Sequence, residues 1–324
     1  MLPLVTPSTR RRLAATAALG LTASLLGVAS AASAHESSAP APGAVTRIAS
    51  ATAGPVGFSV SPSEQASAVA RWTPERRASA VDADGMDASA ASAGDPLATS
   101  GASTVSVAQQ VAPVPHIGRL FFERDGLSYY CSANVVEAAN RSTIATAGHC
   151  ETERQEFSSD VVFYPGYDDG ESSFGAWPVT GGHVTTGWYE RNDDDQAEDS
   201  AFLTVGRDDD GDDIQSVTGA SPVRFDGVAA QEVGFYGYPG EGRFDGSELE
   251  GCTGQGDAYS AMQIDLACDM TGGVSGGPVF VGAGTDGAQF ANVAERAADF
   301  THNIGPVWRD AARSAYEMTA ASAG

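Results

Sequence analysis

The chain has 324 residues, 42% of them apolar, which is enough for one large domain or two small ones. All 18 basic residues are arginine, and from residue 117 onward 11 of them stand against 35 acidic residues, so the whole net charge of −24 lies in the C-terminal two-thirds. A surface of that sign repels nucleic acid and anionic membranes, which excludes both as partners of the folded part.

Arg10-Arg11-Arg12, the apolar run from Leu13 to Val28 and the small residues Ala32-Ser33-Ala34 read as a secretory signal peptide over residues 1–34, cut before His35. The run is too short and too rich in Ala, Gly and Thr for a retained membrane anchor, and no other stretch is apolar enough to span a bilayer. The mature protein is expected outside the cell, free of the membrane and monomeric. Residues 35–110 are rich in Ala, Ser, Pro and Gly, and 79–104 has neither a helical nor a strand period. That is the composition of a disordered linker or low-complexity pro-segment. Its place between a signal peptide and a folded domain favours a pro-segment that is removed, and Arg76-Arg77 is a dibasic candidate for the cut.

The folded domain is expected over residues 111–324. IGRLFF (117–122) reads as a strand, followed by a turn at Arg124-Asp125-Gly126 and by LSYYCSANVV (127–136), rich in β-formers. Further short strands are TIATA (143–147), VVFY (161–164), AFLTV (201–205), PVRF (222–225), EVGFYGY (232–238), AMQIDL (261–266) and GPVFV (277–281). Gly, Pro, Asn and Asp clusters separate them, so the domain is predicted to be all-β, a sandwich or barrel. WRDAARSAYEM (308–318) puts Trp308, Ala311, Ala312 and Ala315 or Tyr316 on one face and predicts a C-terminal helix.

Four cysteines in an exported chain, with no CxxC pair among them, predict two disulfides rather than a zinc site. His149 follows an apolar strand and sits beside Cys150. A Cys131–Cys150 bond would staple two neighbouring strands and fix the turn that carries His149, the rigidity a general base needs. A Cys252–Cys268 bond would close a loop of about 15 residues, worth roughly 3 kcal/mol in lost chain entropy. In TGGVSGGP, Ser275 is flanked by Gly272, Gly273, Gly276 and Gly277. Glycines permit a tight turn and close approach of backbone to substrate. The amides of Gly273 and Ser275 are placed to donate to one developing oxyanion, and losing one such donor costs an enzyme on the order of 10²–10³ in rate.

TAGHC followed by GxSGGP resembles the trypsin-like, chymotrypsin-fold serine peptidases over roughly residues 117 to 310. The resemblance implies two six-stranded antiparallel β-barrels with the site in the cleft between them, His149 as general base and Ser275 as nucleophile. It also implies an acid between them, commonly Asp, one residue, then Ala; AEDSAFLTV supplies Asp199. The competing acids Asp193, Asp194 and Asp195 and the DDDGDD run (208–213) lie in acidic loops. Within the family, IGRLFF, GYPG (237–240) and QIDLACDMTGGVSGGPVF (263–280) are similar to the bacterial glutamyl-endopeptidase branch. There the residue before the serine need not be acidic. Val274 therefore removes no triad member; it removes the activation switch in which that acid pairs with a new N-terminal amine, and Ile117-Gly118 is then a strand start.

Specificity stays open between basic, glutamate and neutral side chains. Asp269, six residues before Ser275, stands where trypsins carry the acid that selects Arg or Lys. Thr271 and His302 are the residue types that glutamyl relatives use to accept an acidic side chain. The expected activity is serine endopeptidase cleavage of protein or peptide substrates, with no cofactor required. The DDDGDD run is a candidate calcium site, because carboxylates clustered around a glycine suit a hard cation. The rival reading is a catalytically inactive relative that binds peptides or a protein, although a binding module has no need to keep His, Asp and Ser together. An esterase of the α/β-hydrolase kind would need a GxSxG elbow and a different triad order.

Overall fold

The computed structural model describes residues 46–48, 54–86, 106–227 and 230–322; the expected signal peptide over 1–34 lies outside them. The domain is mostly β. Ile117–Arg124 and Leu127–Val135 form a hairpin across Asp125-Gly126, whose φ angles of 52° and 77° are the left-handed pair that a tight two-residue turn of twisted strands requires. Around this hairpin a sheet closes on itself in the order Ile117–Arg124, Leu127–Val135, Thr143–Thr146, Ala201–Val205, Trp177–Val184, Ser159–Pro165 and back to the first strand, every pair antiparallel. Leu120, Phe122, Cys131, Ala133, Ile144, Phe163 and Leu203 fill this barrel. Their neighbours Ile117, Phe121, Tyr130 and Val162 point the other way and are buried too, which is why IGRLFF reads as an unbroken apolar run rather than an alternating one.

The second sheet runs Gln289–Asn292, Pro278–Val281, Gln231–Gly237, Glu250–Ala258, Gln263–Ala267, His302–Pro306. It is a half-barrel: a single bridge, Ala291 to Val307, brings its two ends together. Val233, Phe235, Cys252, Leu266, Cys268, Val279 and Phe290 fill it. PVRF (222–225) is not a strand; Val223 makes only one bridge, to Gln289. The C-terminal helix spans Asp310–Ala320 and buries Ala312, Ala315 and Thr319 against Phe202, with Trp308 packed on the same ring at 5.0 Å.

The segment expected to be disordered over 35–110 is ordered over 54–86 and from residue 106 onward. Val56–Ser59 adds as a further antiparallel strand to Trp177–Val184. Helix Pro62–Arg71 starts from a Ser61–Glu64 capping box, and helix Pro74–Ser79 from a Thr73 cap, each with proline in its first turn. Few residues in this stretch are large and apolar, but its two aromatic residues, Phe58 and Trp72, are 3% and 2% exposed on the first barrel. They supply burial that the composition of the segment conceals. The dibasic pair is not an open cutting site. Arg77 is buried and donates to the carbonyls of Trp72 (2.9 Å) and Gly170 (2.9 Å), and Arg76 pairs with Glu123.

Candidate active site

Strand Thr143–Thr146 runs into the single helical turn Gly148–Glu151, which presents His149, and the Cys131–Cys150 disulfide ties that turn to the neighbouring strand. Asp199 stands at the mouth of strand Ala201–Val205, which pairs with Thr143–Thr146, so adjacent strands bring the two residues together. The His149 amide donates to Asp199 Oδ1 (2.8 Å), and Nδ1 lies 2.6 Å from Asp199 Oδ2, the geometry of an Nδ1–H donor. Asp199 is 1% exposed. Its backbone carbonyl accepts from Asn292 Nδ2 (2.9 Å), while Asn292 Oδ1 accepts from Ser200 Oγ (2.7 Å) and from Trp308 Nε1 (3.0 Å). Of the competing acids, Asp195, in the 3₁₀ turn Asn192–Glu198, pairs with Arg191 at the end of the preceding helix.

Ser275 comes from the second sheet, on the turn that precedes strand Pro278–Val281. Gly276 has φ 80°, and a Cβ there would lie 2.1 Å from Thr146 Oγ1 and 2.3 Å from the Ser132 carbonyl, so only glycine fits. Ser132, on the first barrel, pins the turn: its amide donates to the Ser275 carbonyl (2.8 Å) and its hydroxyl to the Gly273 carbonyl (2.8 Å). Val274 is 3% exposed and packs into the second core, where a trypsin would place a charge. Ile117 is the first residue of its strand, fully buried, and its amide donates to the Val114 carbonyl.

A residue from the ordered N-terminal segment completes the arrangement. The Asp84 carboxylate accepts from Ser275 Oγ at Oδ1 (2.8 Å) and from the Gly273 amide at Oδ2 (3.0 Å), and Oδ1 lies 3.3 Å from His149 Nε2. Burial alone would push the His149 pKa down, but Asp199 and Asp84, one on each side, hold it well above the ordinary histidine range. Burial likewise opposes ionisation of Asp84, and His149, the Ser275 hydroxyl and the Gly273 amide outweigh it and hold Asp84 below the usual carboxylate range. The His149 ring therefore stands between two acidic side chains, Asp199 at Nδ1 and Asp84 at Nε2. Sequence reasoning misses Asp84, Ser132 and Asn292. All three act through tertiary placement, and no local motif marks them.

The expected specificity residues are committed to other partners. Asp269 accepts from the Ala108 amide (2.7 Å) and from Arg243 Nε (3.2 Å) and Nη2 (3.1 Å). Thr271 Oγ1 accepts from the Glu241 amide (3.0 Å). His302 Nδ1 meets Thr301 Oγ1 (2.8 Å), with Asp265 at 3.9 Å from Nε2. In the DDDGDD run, Asp208 accepts from the amides of Asp210 (3.1 Å) and Asp212 (2.8 Å), and Asp213 caps helix Ile214–Thr218 and pairs with Arg141. Both predicted disulfides are present, Cys131–Cys150 and Cys252–Cys268. Among the described residues the two groupings dense enough for a metal each consist of one of these disulfides and a neighbour, so their sulfurs are already bonded.

Solved structures resemble this one. The protease Anisep from Arthrobacter nicotinovorans is 32% identical, over 66% of this chain and 100% of that one, with a TM-score of 0.63. The thermostable serine protease AL20 from an extremophilic microorganism is 36% identical, over 65% of this chain and 100% of that one, with a TM-score of 0.62. A Glu endopeptidase solved with MPD matches over 66% of this chain and 97% of its own at a TM-score of 0.54; at 19% identity this is a likeness of fold. No family profile and no curated protein matches the chain.

Proposed function

The chain belongs to the trypsin-like, chymotrypsin-fold serine peptidases, and on that premise we propose that it is a secreted endopeptidase that cuts protein or peptide substrates through Ser275, His149 and Asp199. The observation that carries this reading is the convergence on the Asp84 carboxylate of the hydroxyl of Ser275, the amide of Gly273 and, at 3.3 Å, His149 Nε2. Asp84 Oδ2 stands in for the oxyanion of a tetrahedral intermediate. Oδ1 stands in for the atom that lies between nucleophile and base.

With a peptide carbonyl in that place and His149 neutral, Ser275 Oγ attacks the carbonyl carbon while Nε2 takes its proton. The carbonyl oxygen, now negative, accepts from the Gly273 and Ser275 amides. His149 returns the proton to the leaving amine, and a water deprotonated by the same nitrogen then hydrolyses the acyl-enzyme. Asp199 holds the Nδ1–H tautomer and stabilises the imidazolium. The mechanism needs no cofactor and no second subunit.

Two disulfides fit an oxidising compartment, and no described helix is long and apolar enough to cross a membrane. Export through residues 1–34 would account for the disulfides. A preference for basic side chains would need Asp269 free, and its pairing with Arg243 counts against that; the committed contacts of Thr271 and His302 count equally against a preference for glutamate. The test is labelling by a fluorophosphonate probe. The protein freed of residues 54–86 is expected to label at Ser275 and to lose all labelling in Ser275→Ala. Absence of labelling from that form overturns the reading.

A further inference from the structure

The ordered segment 54–86 touches the barrel in two distinct ways. Its first part is an anchor. Val56–Ser59 extends the first sheet, Trp72 donates its indole N–H to the Asp160 carbonyl (2.6 Å) and packs 5.2 Å from Phe121, and Arg77 lies 4.6 Å over Tyr164. Arg71 and Arg76 both pair with Glu123, which is 5% exposed. The second part is a hand-off. Val81–Asp82 pairs in parallel with Tyr129–Tyr130, and the 3₁₀ turn Ala83–Met86 then turns Asp84 into the site.

Asp84 has one carboxylate and meets three groups with it. A peptide carbonyl cannot reach the Gly273 amide while Oδ2 accepts from it, and Ser275 cannot pass its proton to His149 while its hydroxyl donates to Oδ1. His149 Nε2 faces Asp84 Oδ1 at 3.3 Å in place of the Ser275 hydroxyl whose proton it would take as base. The carboxylate thus blocks substrate, nucleophile and base at once.

We propose that residues 54–86 form an inhibitory segment with its own binding site on this protein, a barrel flank that seats the anchor and an oxyanion site that takes the Asp84 carboxylate, and that the segment stays seated after the chain is cut beyond Met86. This rests on the reading of Ser275 as an active nucleophile. None of the contacts described depends on the chain being continuous after Met86, so cleavage there does not by itself free the site. Activation requires the segment to be dislodged or degraded. The occupant is this chain's own peptide, and the chemistry recognised is an aspartate carboxylate presented by a docked helix–turn.

The test uses the full chain with a recognition sequence for a site-specific protease inserted between residues 86 and 106. Fluorophosphonate labelling rates are read for the parent, Asp84→Ala, Asp84→Asn and Ser275→Ala, each before and after the cut. The parent is expected to label slowly in both states, with the N-terminal fragment co-eluting on gel filtration after the cut. Asp84→Ala is expected to label at least about tenfold faster even uncut, since it loses two charge-assisted hydrogen bonds, and Asp84→Asn, which keeps the shape without the charge, is also expected to gain. Equal labelling of parent and Asp84→Ala overturns the carboxylate block and leaves the peptidase reading standing. Full activity on cutting, with the fragment released, overturns the retained segment. Silence of every form, Asp84→Ala included, overturns the active nucleophile and the inhibitor with it.

Discussion

The two halves of the site lean on different means. On the first barrel, His149 and Asp199 are oriented by hydrogen bonds: an amide and a ring nitrogen on one carboxylate, and Asn292 on the carbonyl behind it. On the second sheet, Ser132 pins the Ser275 turn with two hydrogen bonds, but the turn reaches that position only through missing atoms, because glycines let it press against Thr146 and Ser132 where no side chain fits. A half built from hydrogen bonds should tolerate changes of shape and fail with changes of chemistry. A half built from close approach should do the reverse.

The contrast is broken most severely at Asp199. Asp199→Asn keeps size and burial but offers an amide where the imidazole needs a full carboxylate. In an Asp84→Ala background, kcat/KM is expected to fall about 10⁴-fold, the scale seen when a triad acid is neutralised in place, while the thermal midpoint moves little. Gly276→Ala should invert that pattern. The added methyl meets Thr146 Oγ1 at 2.1 Å and the Ser132 carbonyl at 2.3 Å on a backbone at φ 80°. Unfolding in urea is expected to show a loss of more than about 3 kcal/mol, with activity lost along with the fold. A Gly276→Ala protein of normal stability would mean that the turn adapts, and the contrast would fail.

The halves also differ in how far they can be read from sequence. His149 and Ser275 are legible because each sits on a short local pattern, and the cysteines because an even number with no CxxC pair among them reads as disulfides. Asp199 is legible only through the resemblance. Strands such as Glu250–Ala258 are hidden: EGCTGQGDA looks like a breaker, yet a Cβ at Gly251 would meet Tyr236 Cδ1 at 2.5 Å and one at Gly256 would meet Ile264 Cδ1 at 2.7 Å. Those glycines make room for side chains of neighbouring strands, and which side chain each will face depends on a strand register that composition does not give. Residues 54–86 mislead for a related reason. The caps at Ser61 and Thr73 are readable, but two aromatic residues in an Ala- and Ser-rich stretch signal burial only once the barrel that covers them is known. Asp84 has no sequence signal at all.

Glu295 sharpens the comparison, because it belongs to the second half and feels the charge of the first. It lies on strand Glu295–Arg296, part-buried, with Gln263 Nε2 donating to it. Burial, and then the charge of Asp199, push its pKa up to about 7. In the unfolded chain the same group releases its proton near pH 4.5. Between those values the folded protein holds a proton that the unfolded chain has lost, so this group makes stability fall as pH rises through the window. One proton held across one pH unit corresponds to about 1.4 kcal/mol, and with relaxation and some solvent access an overall effect of about 1–3 kcal/mol is expected. Glu295→Gln removes the titration and keeps a partner for Gln263. Urea melts of parent and variant at pH 4.5 and pH 8 should agree at the lower value, with the variant more stable at the upper one. The surface acids titrate alike in both proteins and cancel in the difference. Equal stability at pH 8 would mean that Glu295 ionises freely beside Asp199, and the seam between the two halves would then carry no electrostatic strain.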